Sequence, residues 1–186
     1  MKRAMDIVLS LVAMVLLAVP ALLVAIAVKV TSTGPILHWS SRSGRGSALF
    51  NMPKFRTMKV GTPQLATDKL QNPAQMLTPI GGLLRKLSLD EIPQLWSVLR
   101  GEMSLVGPRP ALFNQHELIT ARKAQGIDRL RPGVTGWAQV NGRDDIPESR
   151  KVELDDQYLR RQSLRLDLKI LWLTGWRVIR SEGVSH

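Results

Sequence analysis

From Ala4 to Val28 the chain is apolar, interrupted only by Asp6, Ser10 and Pro20. The stretch Ile7–Val28 would extend about 33 Å as a helix, enough to cross a hydrocarbon core. Pro20 lies inside it, where it removes a backbone hydrogen bond and kinks a helix. Lys2 and Arg3 favour a cytoplasmic N-terminus, and Lys29 follows the run at its other end. The pattern is compatible with a spanning helix, since proline is tolerated in such helices. It also suits a kinked helix that enters one leaflet and returns. A cleavable leader fits less well, because the run is longer than the usual leader core.

Beyond residue 30 the periods shorten. Thr31–Pro35 reads as a turn-rich exit. Ile36–Trp39 and Ala48–Phe50 flank a serine, arginine and glycine stretch and predict a β-hairpin. Residues 60–79 are polar, hold three prolines and predict a loop, a candidate lid. Ile80–Leu87 predicts a short helix, and Glu91–Arg100 a second one closed by Gly101. Residues 131–147 read as loop or short strand punctuated by Gly and Pro. Val152–Arg161 and Leu164–Arg180 predict two more helices. The last carries Trp172 and Trp176 on one face among Arg165, Lys169, Arg177 and Arg180. That pattern suits either a membrane interface or packing onto the core. The fold class predicted is a small mixed α/β domain, mainly helical with a short β-hairpin. A re-entrant N-terminal segment (residues 1–30) would precede a catalytic domain (31–186), with amphipathic helices at the interface.

Composition narrows the chemistry. The 186 residues contain 26 Lys and Arg against 15 Asp and Glu, a formal charge of +11. Lys2, Arg3 and Asp6 are the only charges in the first 28 residues, so nearly all of the excess lies in the following domain. Partners are therefore expected to be phosphates or an anionic membrane surface. The basic residues are interspersed with turn motifs and match no nucleic-acid module, so nucleic acid is not an expected partner. Cysteine is absent, which excludes disulfides, thiolate metal sites and a cysteine nucleophile. The three scattered histidines do not suggest a histidine metal site.

The densest chemistry lies in Leu87–Trp96. Asp90 and Glu91 are adjacent and would point about 100° apart on a helix, so they suit separate roles. Pro93 is tolerated only in a first helical turn, which would start the helix near Asp90, where anions are favoured. The same residues also read as an ordinary capping box, Ser88-x-x-Glu91. Around them lie Lys54, Arg56, Arg85, Arg109, Arg131 and Arg143, each beside turn residues. Arginine forks match phosphate oxygens. Several such elements beside two carboxylates suggest a phosphoanhydride site that needs a divalent metal.

Four blocks together resemble a known family: Lys54-Phe-Arg-Thr-Met58, Arg85–Leu95, Gly101–Pro110 and Arg131–Arg143. They look like the signature blocks, in order, of the bacterial sugar transferases, the monotopic polyprenyl-phosphate phosphoglycosyl transferases, in their minimal form. The resemblance implies transfer of a phosphosugar from a UDP-sugar to undecaprenyl phosphate, with release of UMP, to initiate glycoconjugate assembly. It implies Asp90 as a nucleophile forming a covalent phosphosugar and Glu91 as the Mg²⁺ ligand. Arg109 would bind phosphate, with Lys54 and Arg85 as further basic site residues. Asp167 and Gln139 are further active-site candidates, Asp167 matching a family Asp in the closing helix. The resemblance also favours one-leaflet insertion in the bacterial inner membrane, with the catalytic domain on the cytoplasmic face and anionic lipid as a partner. A homo-oligomer is compatible with it. Lys2, Arg3 and Asp6 match the family's N-terminal Lys-Arg-x-x-Asp. Three positions depart from the pattern: Val19 precedes Pro20 in place of Ser, Glu102 stands for the commoner Asp, and Ala111 for the commoner Glu.

Overall fold

The computed structural model describes residues 1–65, 70, 72–142 and 146–180. The apolar N-terminus forms two helices, α1 (Lys2–Leu16) and α2 (Ala18–Thr31), bent by 61°. The bend falls at Leu17 rather than at Pro20. Pro20 is the third residue of α2 and cannot donate to the carbonyl of Leu16, which its ring crowds, so the ladder breaks one turn ahead of the proline. No single helix among the described residues is long and apolar enough to cross a membrane; the bent pair meets that length and composition only together.

The predicted hairpin is present and longer than expected. Strands β1 (Leu37–Ser43) and β2 (Leu49–Phe55) pair antiparallel, with His38 opposite Lys54 and Ser40 opposite Met52. Ser40 to Ser43 read as loop because they are polar, yet the ladder carries them and Ser40 is buried. The tip turns through Gly46 and Ser47, both with positive φ. Next come α3 (Gly81–Lys86), a single 3₁₀ turn (Leu89–Glu91) and α4 (Gln94–Arg100), which ends on Gly101 at φ 85°. Two short strands, β3 (Ser104–Val106) and β4 (Gly133–Thr135), pair in parallel. Helices α5 (His116–Ala124), α6 (Glu148–Arg161) and α7 (Leu164–Arg180) complete the domain. Helix α7 has the predicted bounds and α6 starts four residues before the predicted Val152; β4 lies in the stretch read as loop or short strand, whereas α5, β3 and the parallel pairing were not anticipated.

Helix α4 is only seven residues long. A free helix of that length does not persist in water, so packing must hold it. Leu95 and Val98 are buried with Met52, Met103, Val106, Tyr158 and Ile170, and Leu9, Ala13 and Leu17 of the N-terminal pair close over this cluster. Each such burial contributes about 1.5–3 kcal/mol. A second cluster joins Val24 and Val28 of α2 to Phe55 and Leu84. Thus the inner faces of both arms of the bent pair pack on the elements that flank Asp90 and Glu91.

Polar bonds fix the root of α1. The Arg3 guanidinium donates to the carbonyls of Val98 and Leu99 at 2.6 and 2.8 Å in the last turn of α4, where the Val98 carbonyl also accepts the Gly101 amide. Buried Asp6 accepts from the Ser104 hydroxyl and the Leu105 amide. Lys2 meets Asp167 at 2.8 Å, and the Tyr158 hydroxyl donates to the same carboxylate at 2.6 Å.

Candidate active site

The chain reaches Asp90 through a strained step. Ser88 adopts φ 56°, a left-handed conformation unusual for a residue with a side chain. It ends α3 and reverses the chain into the 3₁₀ turn. The capping box does not form: the Ser88 side chain caps nothing, and only its carbonyl accepts the Glu91 amide. Asp90 and Glu91 therefore precede α4 rather than starting it, and Pro93 sits at its N-cap. With no capping duty, the Glu91 side chain turns toward β2.

Lys54 meets it there. Its ammonium donates to Glu91 Oε1 at 2.7 Å and lies 3.7 Å from Asp90 Oδ2. Arg109, from the turn after β3, approaches the same Glu91 oxygen at 3.3 Å. Arg85 on α3 donates to Thr57 Oγ1 at 3.1 Å and its charge acts on Asp90. Burial pushes the Glu91 carboxyl up, but Lys54 and Arg109 outweigh it and hold the group at about 2. Asp90 moves the opposite way: burial pushes it up, Lys54 opposes, and the negative charge of Glu91 adds to the rise. Neighbouring carboxylates are thus driven apart, one held firmly ionised and one made more basic. An ionised Asp90 with raised basicity is the better nucleophile of the two.

Of the predicted residues, the fold brings Lys54, Arg85, Asp90, Glu91 and Arg109 together. It places the others elsewhere. Arg56 is buried and its guanidinium is spent on the chain that leaves α2, donating to the carbonyls of Ser32, Thr33 and Pro35 and to the Ser32 hydroxyl. Arg131 donates to the Gly101 carbonyl at 2.9 Å and closes the end of α4. Asp167 is fully buried in the root network with Lys2 and Tyr158. Gln139 donates to the Val134 carbonyl within its own loop. Arg143 lies outside the described residues, as does the centre of the 60–79 loop. The ends of that loop are tied by Thr78 and Lys59 amides to the carbonyls of Thr57 and Met76.

The Arg131–Gly136 block is scaffold. The Ser104, Gly107 and Gly133 amides bond to the carbonyls of Pro132, Thr135 and Pro108, so two carbonyls and one amide of the segment are engaged with the β3 side. A Cβ on Gly136 would stand 2.1 Å from the Gly107 carbonyl, so the two segments meet backbone to backbone.

Two residues near the site escaped the sequence reading. His38 lies opposite Lys54, and burial, Arg42 and Lys54 hold its imidazole below the usual value, hence neutral at pH 7. Arg42 donates to the Pro110 carbonyl at 3.1 Å and its charge reaches Glu91. Strand alternation would have put both on the Lys54 face, but only once the hairpin register was known.

A divalent cation fits this donor set in one way. Among the described residues no three metal-binding side chains cluster. Lys54 and Arg109 both contact Oε1 of Glu91, leaving Oε2 outside these contacts. One or two carboxylates completed by substrate phosphates and water is the usual setting for Mg²⁺.

A family model described as bacterial sugar transferase matches residues 1–181. The chain is 42% identical over 197 residues to the undecaprenyl-phosphate glucose phosphotransferase of Komagataeibacter xylinus, covering 98% of this chain and 36% of that protein. It is 39% identical over 189 residues to the uncharacterized sugar transferase EpsL of Bacillus subtilis (strain 168), covering 100% of this chain and 91% of that protein. The undecaprenyl-phosphate galactose phosphotransferase of Salmonella typhimurium is 36% identical over 203 residues, with 98% of this chain and 41% of that protein covered. The chain thus spans under half of the two relatives named for a sugar and nearly all of EpsL.

Proposed function

We propose that this chain, which belongs to the bacterial sugar transferases, moves a sugar phosphate from a UDP-sugar to undecaprenyl phosphate and so starts a glycoconjugate. The observation that carries this reading is the pair of carboxylates facing Lys54, Arg85 and Arg109. Beside these cations Glu91 is held ionised and Asp90 is pushed up, an arrangement that suits a diphosphate donor and a carboxylate nucleophile.

In the first step an ionised Asp90 oxygen attacks the sugar-bearing phosphorus. The Asp–O–P bond forms, the phosphoanhydride bond breaks, and the electron pair leaves on UMP. In the second step an oxygen of undecaprenyl phosphate attacks the same phosphorus. That displaces the Asp90 carboxylate and yields undecaprenyl-diphosphate-sugar. Lys54 and Arg109 neutralise the phosphoryl oxygens as charge builds on them, and Arg85 keeps Asp90 ionised between turnovers. Glu91 Oε2 and the diphosphate would hold Mg²⁺, which supplies charge neutralisation at the leaving phosphate.

The second substrate is a lipid, so the site belongs at a membrane surface. The bent pair exposes Leu11, Val15, Leu16, Val19, Leu22, Leu23 and Ile26, while its inner faces pack on the domain. This supports insertion into one leaflet, with the catalytic domain on the cytoplasmic face. On α7, Leu168, Trp172 and Trp176 form an exposed stripe, the two indoles stacked at 6.1 Å. Such a stripe suits the headgroup layer.

UMP release measured over a panel of UDP-sugars, with undecaprenyl phosphate and Mg²⁺, tests the reading. UDP-glucose and UDP-galactose head the panel, followed by UDP-N-acetylhexosamines. Release with at least one donor, absent in Asp90→Asn, is the expected result. No release from any donor would leave the chain without the proposed activity.

A further inference from the structure

The Pro108-Arg109-Pro110 turn carries the cation that faces Glu91, yet two of its three residues have no amide hydrogen. Such a turn is restrained chiefly through its carbonyls, by donors from outside. Three are in place. The Gly133 amide holds the Pro108 carbonyl at 2.8 Å. Arg42 Nη1 holds that of Pro110 at 3.1 Å. Arg122 Nη1, from α5, holds that of Arg109 itself at 2.8 Å. Arg122 is in turn fixed by α6: its Nε and Nη2 donate to Asp155 Oδ2 at 3.0 and 2.6 Å.

Burial separates this arginine from those of the site. Arg122 is 9% exposed and Asp155 1%, whereas the Arg109 side chain is 37% exposed. The Arg122 charge is neutralised by one partner, so it adds little to the field that a diphosphate would meet. What reaches the site is geometry. The Arg109 backbone sits at one end of a long flexible arm and its guanidinium at the other. A displacement of about 1 Å at such a group can lower a rate up to about a hundredfold.

We infer that Arg122 and Asp155 form a positioning clamp for Arg109, setting the reach of its guanidinium toward the substrate diphosphate. The inference rests on the functional reading above for what Arg109 binds. It does not make Arg122 a phosphate ligand.

A double-mutant cycle separates positioning from plain stabilisation. Arg122→Lys keeps a charge beside Asp155 but cannot at once make the forked bond to Asp155 and the Nη1 bond to the Arg109 carbonyl. Its kcat with a UDP-sugar should fall about tenfold, while the same change in an Arg109→Ala background should lower the residual rate less than about twofold. The drop in Tm should be equal in both backgrounds. Equal fold-losses of activity in the two backgrounds, or no loss in either, would overturn the clamp. Asp155→Asn, nearly isosteric, serves the same cycle should Arg122→Lys not fold. Amide exchange across residues 107–111 gives a readout that needs no turnover: it should quicken in Arg122→Lys, and unchanged exchange would also overturn the clamp. A wild-type chain that releases no UMP from any donor would defeat the functional reading alone, and the exchange result would still decide this one.

Discussion

Two groups of buried carboxylates sit on opposite ends of α4 and are treated in opposite ways. At the root of α1, Asp6 and Asp167 are each matched: Asp6 by the Ser104 hydroxyl and the Leu105 amide, Asp167 by Lys2 and Tyr158. At the 3₁₀ turn, Asp90 and Glu91 share Lys54 and stand among further cations, Arg109 and Arg85. Burial is common to both groups, so burial alone does not mark chemistry. The splitting of the second pair does. A saturated network holds the fold at the cost of desolvating its charges, and breaking one partner is strongly destabilising. A pair of neighbouring carboxyls driven apart by burial and shared cations instead separates a firmly ionised group from a more basic one, which is how functional sites divide roles.

The sharpest break in that comparison is Asp90→Asn. UMP release should fall by about a thousandfold or more, as when a covalent nucleophile is removed. The Tm should hold or rise, because the change relieves a carboxyl that burial disfavours. Release above a few per cent of wild type would remove Asp90 from the role. Arg109→Ala should come next, lowering kcat about a hundredfold, the usual effect of one preorganised donor. Its Tm should change little, since the Arg109 side chain is 37% exposed.

The root should respond in the reverse sense. Asp6→Leu leaves the Ser104 hydroxyl and the Leu105 amide without their acceptor and should destabilise by about 3 kcal/mol, read by denaturant melts. The turnover of the folded fraction should stay within about twofold, because the groups concerned touch no reacting atom. A large loss of kcat with normal stability would erase the distinction between the two ends.

The pH profile sharpens it further. As the proposed nucleophile Asp90 would have to be ionised, and its carboxyl is raised by burial and by Glu91. The acid limb of kcat/KM should therefore lie above the ordinary aspartate value. Lys54 opposes that rise, so Lys54→Met should move the limb to still higher pH. A limb that moves down would show that Lys54 is not coupled to Asp90.

Much of this arrangement was legible in the sequence, but unevenly. The helices Val152–Arg161 and Leu164–Arg180 and the stop at Gly101 follow from local periodicity and glycine chemistry, which the chain carries with it. Lys54, Arg85, Asp90, Glu91 and Arg109 were named from blocks of motif, and the fold gathers them. Arg56 and Asp167 were named as site candidates too, and the fold turns them away from Asp90 and Glu91, because a motif does not say which way a side chain faces. Arg56 faces the exit of α2, Asp167 the root of α1. Helix α5, strand β3 and the parallel pairing of β3 with β4 were missed, since a nine-residue helix of low amphipathicity and a three-residue strand carry almost no local signal. Arg122 and Asp155 are 33 positions apart, and only tertiary packing pairs them.

The smallest effect tests why the sequence read Ser88 as a cap. A capping serine has extended backbone, accepts threonine readily and loses a little with glycine. Ser88 has φ 56° instead, where the order reverses: glycine adopts that region freely and a β-branched side chain is strained there. Ser88→Gly should hold or gain up to about 1 kcal/mol, while Ser88→Thr should lose about 1 kcal/mol, both read from chemical denaturation. The opposite order would restore the capping box, and with it a Glu91 side chain engaged by the backbone instead of turned to Lys54. Turnover should follow stability only weakly in Ser88→Gly, because the φ that aims Asp90 is unchanged. In Ser88→Thr, any relaxation of that φ swings Asp90 away from Lys54, so its kcat should drop more than its stability alone would explain.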